Sequence, residues 1–183
     1  WDQQDLRTRL TSLGLVSFIS DGTRPARDIT RHRCWYRVAG PKQGVHIPFT
    51  CPSALDPVEV EGAGTGATIT GLGIRQREVF AITGANAEGK TSLLEAILSG
   101  EDDHAAGDGR EHLVTVPGVV RVDATNRDIR GGDVSRFFTS LPPGMGGTVR
   151  SATGRGSGSL SMAFMIQEAI RRERSVIVID EDA

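Results

Sequence analysis

A glycine-bounded stretch near the middle of the chain carries the residue types that hold a polyphosphate. It fits the pattern G-x-x-x-x-G-K-[ST] and is followed at once by a serine. Glycines let the backbone curl so that successive N–H groups point at phosphate oxygens. We expect Lys90 to place a positive charge between the β- and γ-phosphates and to have a catalytic role, and we expect the Thr91 hydroxyl to bind Mg²⁺. The predicted residues of this ATP and Mg²⁺ site are Gly84, Ala85, Asn86, Ala87, Glu88, Gly89, Lys90, Thr91 and Ser92.

Two acidic residues follow a continuous apolar run near the end of the chain. Residues 176–179 are Val-Ile-Val-Ile, and Asp180 and Glu181 come directly after them. A buried strand of this kind delivers carboxylates to the edge of an α/β sheet where ligands bind. We expect Asp180 to support the metal and Glu181 to be the catalytic group that orients or deprotonates the attacking water. The alternative is a strand that merely ends in acidic residues.

A short Ser-Gly-Ser segment precedes the helix that leads into this strand. Ser157, Gly158 and Ser159 stand where a helix N-terminus is expected, and Ser157 lies 23 positions before Asp180 (180 − 157). Serine and glycine at such a position either cap the helix or bind an anion. The sequence pattern leaves both interpretations open.

The elements that must position these motifs follow an α/β order. Before the phosphate loop, apolar spacing predicts a helix at 2–13 and strands at 15–19, 58–60 and 78–83. After it, the same spacing predicts helices at 90–98 and 160–172, a strand at 175–179, and a strand pair at 113–116 and 119–122 around Pro117-Gly118. This order is typical of an α/β fold. We divide it into an N-terminal α+β subdomain, residues 1–60, and a P-loop core, residues 61–183.

Composition limits the remaining function classes. The chain has 183 residues and a net charge of −2, so overall charge gives no argument for nucleic acid or an anionic membrane. No run approaches the roughly 18 apolar residues of a membrane span. Two cysteines are too few for a disulfide framework, which predicts a cytoplasmic protein with reduced thiols. Because the chain stops directly after an apolar strand, we expect the C-terminal part of the fold to be missing from it.

Several weaker signals leave alternatives open. An arginine cluster could contact RNA or DNA phosphates or be a solvated loop: Arg24, Arg27, Arg31 and Arg33. A zinc site is conceivable but has no usual finger spacing: His32, Cys34, His46 and Cys51. Three aromatic residues could stack on adenine, although core packing explains each: Trp35, Tyr36 and Phe49. A glutamine between the phosphate loop and Ser157 could sense Mg²⁺, but none lies between residues 91 and 157. Asp133 or Ser135 could take this role instead.

Taken together, these motifs resemble the predicted ATPases of the ABC class, a group that includes a protist mitochondrial RNA-editing accessory ATPase. Besides the motifs above, the resemblance rests on residues 13–22, 49–52, 69–74, 107–111 and 114–115. The group usually has a glycine-rich, aromatic-His loop where this chain has residues 85–88. Phosphate binding uses mainly backbone N–H groups, so we expect ATP binding to survive this departure.

The resemblance implies an α/β P-loop NTPase of the ABC-ATPase type with an N-terminal α+β extension. It implies an ATP-hydrolysing enzyme that closes as a head-to-tail homodimer over two nucleotides. In that arrangement Ser157 and Gly158 would grip the γ-phosphate bound to the opposite subunit. RNA is implied as a partner by analogy alone. The alternative function is a nucleic-acid-binding module that uses ATP as a conformational clamp with little hydrolysis.

Overall fold

The computed structural model of the chain describes residues 2–29, 36–38, 47–62, 66–86 and 88–180. The chain divides into two compact units, Trp1–Pro117 and Gly118–Ala183. The boundary that we expect between residues 60 and 61 falls inside a strand, Val58–Glu61, and stays a prediction.

The first unit is built on a four-stranded antiparallel sheet whose strands are, in spatial order, β4 (Val58–Glu61), β5 (Thr68–Arg75), β1 (Leu15–Ser20) and β6 (Leu113–Thr115). Strand β1, one of the two inner strands, contains the fully buried Phe18 and Ile19. The predicted first helix ends at Arg9, and Leu6 is fully buried. In chain order, the described elements of this unit are α1 (Gln3–Arg9), β1 (Leu15–Ser20), β2 (Arg27–Ile29), β3 (Tyr36–Val38), a 3-10 helix (Ser53–Leu55), β4 (Val58–Glu61), β5 (Thr68–Arg75), α2 (Lys90–Ser99) and β6 (Leu113–Thr115).

Helix α2 begins at the lysine of the phosphate loop, as predicted, and its C-terminal end is fastened to β6. The Thr115 N–H donates to the Gly100 carbonyl at 2.9 Å, and the Thr115 hydroxyl donates to the Ile97 carbonyl at 2.8 Å. A Cβ at Gly100 would lie 2.6 Å from the Thr115 hydroxyl oxygen and 2.7 Å from a methyl carbon of Leu113. Glycine is therefore needed where the helix meets the sheet.

The strand predicted at residues 78–83 is absent from the structure, so that prediction is wrong. These residues form no ladder with any strand of the described chain, and the Val79 side chain is 98% exposed. An apolar run becomes a buried strand only when neighbouring strands satisfy its backbone groups. The described residues supply no such neighbour here.

The second unit combines a parallel strand pair, an antiparallel pair and a helix. Strands β7 (Val119–Asp123) and β10 (Val176–Asp180) run parallel, and β8 (Arg127–Gly132) pairs with β9 (Ala152–Gly156) in antiparallel register. Ile129, Val134, Ala152, Leu160 and Ala163 form its core cluster. In chain order its elements are β7 (Val119–Asp123), β8 (Arg127–Gly132), β9 (Ala152–Gly156), α3 (Gly158–Arg171) and β10 (Val176–Asp180).

The predicted pairing of the strands around Pro117-Gly118 is also wrong, although both strands exist. Strand β6 pairs with β1, whereas β7 pairs with β10. The Pro-Gly dipeptide marks a chain reversal in sequence, but here it separates two units rather than closing a hairpin.

Candidate functional site

The loop at residues 84–89 takes the backbone geometry that its glycines allow. Gly84 has φ +149°, and a Cβ there would lie 2.5 Å from a carboxylate oxygen of Glu88. Gly89 has φ +86° and is the N-cap of α2. Both conformations are rare for other residues. Ala87 lies outside the described residues.

Lys90 turns its amine back into this loop. Its Nζ donates to the carbonyl oxygens of Gly84 and Ala85, at 2.8 Å each. The positively charged Lys90 amine thus lies against the backbone of the loop, where it would neutralise a negatively charged ligand. The role of Lys90 toward a nucleotide stays a prediction.

Glu88 supplies a carboxylate to the same loop. Its Oε2 accepts a hydrogen bond from the Ala85 N–H at 2.6 Å. This carboxylate oxygen stands in for the oxygen of a bound anion, because it takes the amide donor that a phosphate oxygen would take. The residues present therefore fit an oxyanion ligand.

A cavity of about 580 Å³ begins at the first turn of α2. Thr91 and Ser92 form part of its wall, so it adjoins the residues that follow the phosphate loop directly. Phe49, the one described side chain among the three aromatic candidates for adenine, is not among the lining residues. Trp35 and the Tyr36 side chain fall outside the described part of the chain. The cavity is lined by Pro25, Arg27, Thr91, Ser92, Glu95, Ala96 and Arg110.

Two arginines of this wall are clamped by one carboxylate. Arg27 donates to Asp108 Oδ1 at 2.8 Å, and Arg110 donates through Nε to the same oxygen at 2.7 Å. Burial favours the neutral form of Asp108, but its hydrogen bond and ion pair with Arg110 and its ion pair with Arg27 outweigh this and lower its pKa. Arg27 is thus part of a folded ion-pair network rather than a solvated loop.

Asp108 belongs to the segment 107–111, on which the family resemblance partly rests. Glu111 closes this segment by accepting hydrogen bonds from the backbone N–H groups of Gly107 and Gly109. Burial opposes ionisation of Glu111, but these backbone donors prevail and lower its pKa. The segment therefore forms a hydrogen-bonded turn, from which Asp108 contacts the two arginines.

In the second unit, two parallel strands end in aspartates at the same level. Asp180 of β10 is the register partner of Asp123 of β7. The Asp180 side chain is 11% exposed, and its Oδ2 accepts from Arg121 at 2.9 Å. The pKa of Asp123 is lowered, chiefly by its hydrogen bond with Thr125. Glu181 lies outside the described residues.

The Ser-Gly-Ser segment begins α3, as predicted. Ser157 is the N-cap residue and is exposed, yet its side chain makes no capping hydrogen bond. Gly158 has φ +47° and opens the helix. The hydroxyl of Ser157 is thus not used for capping, which leaves the anion-binding interpretation open.

The structure describes residues from two of the weaker sequence signals, the possible Mg²⁺-sensing residues and the conceivable zinc site. The carboxylate of Asp133 accepts from the Ser135 N–H at 2.9 Å, which makes a local turn of these residues. Cys51 is buried, and burial raises the pKa of its thiol. The other three residues of the conceivable zinc site lie outside the described residues, within which no three His, Cys, Asp or Glu side chains are grouped for a metal.

Sequence reasoning missed four residues of these sites: Arg110 and Asp108 beside α2, and Asp123 and Arg121 beside Asp180. Asp123 had a readable signal, because it ends an apolar strand in the same way as Asp180. The contact between Arg27 and Asp108 had none, since 81 positions separate the two residues.

In this loop a backbone amide donates to an anion, the Glu88 carboxylate, and the Lys90 amine donates to loop carbonyls. A helix follows the loop directly. These features define a P-loop nucleotide-binding domain. The family model ABC_ATPase, described as a P-loop domain, matches residues 1–183. The chain therefore belongs to this family of ABC ATPases, whose P-loop binds nucleotide.

Among curated proteins, the chain is similar to an uncharacterized protein of Methanocaldococcus jannaschii. The two are 48% identical over 181 residues, which is 99% of this chain and 40% of the relative. The chain thus spans about two fifths of the length of the protein that it matches. Of the helices that the structure describes, none has the length and apolarity to cross a bilayer.

Proposed function

We propose that this chain is the ATP-binding and ATP-hydrolysing part of an ABC-class ATPase that works as a nucleotide-dependent dimer. The observation that carries the proposal is the loop itself, where the Ala85 amide already holds a carboxylate oxygen and Lys90 Nζ lies within 2.8 Å of two loop carbonyls. A backbone amide that donates to an anionic oxygen and a cationic amine within the same short loop are two features that triphosphate binding needs.

Each motif has a role in this proposal. The backbone amides of residues 84–89 and the Lys90 amine bind the phosphates, and the Thr91 hydroxyl is a metal ligand. Asp180 supports the metal, and Glu181 positions or deprotonates the attacking water. A bound Mg²⁺ ion neutralises charge on the phosphate oxygens. Ser157 and Gly158 act on the nucleotide of the other copy, which makes hydrolysis depend on dimer formation.

The proposed phosphate site is tested by calorimetry with Mg-ATP on the Lys90→Ala variant. We expect ATP binding to be lost while the thermal unfolding midpoint is unchanged, because among the described residues the Lys90 amine donates only to carbonyls of its own loop. Lys42→Ala is the matched control, since Lys42 is the other lysine of the chain. Equal ATP affinity in wild type and Lys90→Ala would refute the proposal.

Turnover separates hydrolysis from the clamp alternative. In the full-length protein, Glu181→Gln should bind ATP normally and hydrolyse it far more slowly than wild type. A wild-type protein that retains RNA in an ATP-dependent way, without measurable phosphate release, would favour the clamp. Phosphate release that stays proportional to protein concentration at high dilution would contradict the dimer.

A further inference from the structure

Two antiparallel segments of the second unit carry most of the exposed arginines of this unit. Strands β8 and β9 form their centre, and the Val134 N–H donates to the Val149 carbonyl at 2.7 Å, which continues the pairing beyond the strands. Ile129 and Ala152 belong to the buried core cluster, so one face of this pair of segments packs inward. We call the two segments the arginine ribbon and define it as residues 127–137 and 149–156.

Two arginines lie on the outer face of the strand pair. Residues directly opposite each other in an antiparallel pair share a face, and the face alternates along each strand. Ile129 pairs with Gly154 and is buried, so Arg130 of β8 and Arg155 of β9 lie on the other, exposed face. Asp128 is the register partner of Arg155, yet the two side chains form no ion pair within the described residues.

Two further arginines extend this positive surface beside Asp133. Arg136 and Arg150 are both exposed. Hydrogen bonds from Ser135 are the main cause that lowers the pKa of Asp133, and the charges of Arg150 and Arg136 lower it further. Both arginines therefore lie close enough to one carboxylate to act on it, and this end of the ribbon has two positive charges for one negative charge.

The positive charge of the ribbon exceeds its negative charge. The two segments contain five arginines and two aspartates. Arg127 lies 3.2 Å from the Asp123 carboxylate, which neutralises it. A surface with an excess of one sign of charge attracts a partner of the opposite sign, whatever the net charge of the chain. Within the part of the chain that the structure describes, four exposed arginines of the ribbon form no ion pair: Arg130, Arg136, Arg150 and Arg155.

An exposed aromatic ring adjoins Arg136 in the chain. Phe137 is 50% exposed, whereas Phe138 packs against the core cluster. The N–H groups of both residues donate to the Val134 carbonyl at 3.0 Å, so one turn buries the second ring and leaves the first in solvent. Arginines and an exposed ring together suit a single-stranded nucleic acid, because its phosphates bind cations and its bases stack on rings. An acidic protein segment would use the arginines but has no base to stack on Phe137.

We propose that the arginine ribbon binds a single-stranded nucleic acid, with one base stacked on Phe137 and the phosphates in contact with Arg130, Arg136, Arg150 and Arg155. The inference goes beyond the proposed function and does not depend on it, because no residue of the ribbon belongs to the phosphate loop. Contacts to phosphates and to the faces of bases carry little sequence information, so strands of different sequence should bind alike.

The test measures fluorescence anisotropy of a labelled oligothymidylate of about 20 nucleotides with the full-length protein, without ATP. Each phosphate contact in a single strand contributes about 0.7 to the slope of log affinity against log salt concentration. The double variant Arg130→Gln, Arg155→Gln should therefore weaken binding and reduce this slope by about 1.4. Arg171→Gln, Arg172→Gln is the matched control, because it removes the same charge from the end of α3, where both arginines are paired with Glu168. Its slope should equal that of wild type.

Phe137→Leu tests the stacked base separately from the charge. Leucine keeps an apolar side chain but has no ring, so binding should weaken about tenfold while the salt slope stays the same. The substituted side chains are exposed, so these variants should unfold at the wild-type midpoint. Polyglutamate, which has negative charge but no bases, should bind more weakly than the oligonucleotide.

Four results would overturn the ribbon as the binding surface for a single strand. They are a wild type that does not bind the oligonucleotide, a salt slope that is unchanged in the arginine double variant, and equal binding of polyglutamate with no effect of Phe137→Leu, which would indicate an acidic protein partner. The fourth is weaker oligonucleotide binding by Lys90→Ala, which would assign the oligonucleotide to the phosphate loop. Loss of ATP binding in Lys90→Ala with normal oligonucleotide binding supports both proposals, and failure of ATP binding in wild type affects only the proposed function.

Discussion

The Glu88 carboxylate accepts a hydrogen bond from the backbone N–H of Ala85, with 2.6 Å between Oε2 and the nitrogen. The carboxylate therefore occupies an amide donor of the loop that is proposed to hold phosphate. Lys90 donates to carbonyls of the same loop. The free loop satisfies its own charged groups, and a nucleotide must displace the Glu88 carboxylate from the amide.

Replacing Glu88 by glutamine should strengthen nucleotide binding. The amide side chain keeps the shape and can still accept from Ala85, but it removes a negative charge close to the phosphates. One unit charge at about 4 Å in water contributes about 1 kcal/mol, so we expect Kd for Mg-ATP to fall about fivefold or more by calorimetry. Glu59→Gln, an exposed position of β4, is the control. Weaker ATP binding by Glu88→Gln would mean that the carboxylate assists the ligand.

The ion pair between Arg121 and Asp180 makes a second prediction. Arg121 lies 2.9 Å from the carboxylate that is the proposed metal ligand, so it competes with a cation there. Arg121→Gln should lower the Mg²⁺ concentration at which ATP hydrolysis by the full-length protein is half-maximal, by a few-fold. Arg155→Gln, on an exposed residue of β9, should leave that concentration unchanged. A higher Mg²⁺ requirement in Arg121→Gln would instead show that the arginine orients Asp180 for the metal.

The phosphate loop could be predicted from sequence because its geometry is local. Two glycines at fixed spacing, a lysine and an apolar pattern predict a loop followed by a helix, and the helix Lys90–Ser99 confirms the second part of this prediction. Strand β10 was readable for a similar reason, since five consecutive residues carry its pattern.

The contacts between distant residues could not be predicted. Arg27 and Asp108 are 81 positions apart, and no periodicity connects them. The partners of β6 and β7 depend on which sheet each strand joins, whereas Pro117-Gly118 indicates only that the chain turns. The expected strand at residues 78–83 failed because apolarity does not specify a neighbour.

Stability should depend on pH through two histidines of the first unit. Burial is the main cause that lowers the pKa of both His104 and His112 from 6.5. The unfolded chain then binds more protons than the folded one, so stability is full above pH 6.5 and falls as pH drops toward the folded pKa values. The lowered pKa of Asp108 affects stability only at pH values near and below 3.8, the ordinary pKa of this carboxyl group.

We therefore expect the free energy of unfolding in urea to decrease between pH 7 and pH 5. The double variant His104→Gln, His112→Gln should show a flatter dependence over this range, because glutamine does not titrate. Stability that is constant or rises on acidification over this range would contradict the burial of neutral imidazoles. The further loss of stability below pH 4 should persist in the double variant, because the carboxyl groups of Asp108 and Glu111 are unchanged.

The junction between α2 and β6 makes the last prediction, because it holds the helix that carries the phosphate loop. Gly100→Ala would place a methyl group 2.6 Å from the Thr115 hydroxyl oxygen and 2.7 Å from Leu113, both of which are fully buried. Thr115 cannot move away easily, because its hydroxyl donates to the Ile97 carbonyl at 2.8 Å and lies 3.0 Å from the Ser17 hydroxyl. Overpacking of this kind costs about 1–3 kcal/mol, so the unfolding midpoint should fall.

Gly146→Ala is the matched control, since its new methyl group would lie 2.8 Å from the hydroxyl of Thr153, an exposed side chain that can rotate. Equal losses of stability in the two variants would show that the close approach at Gly100 does not fix the helix to the sheet.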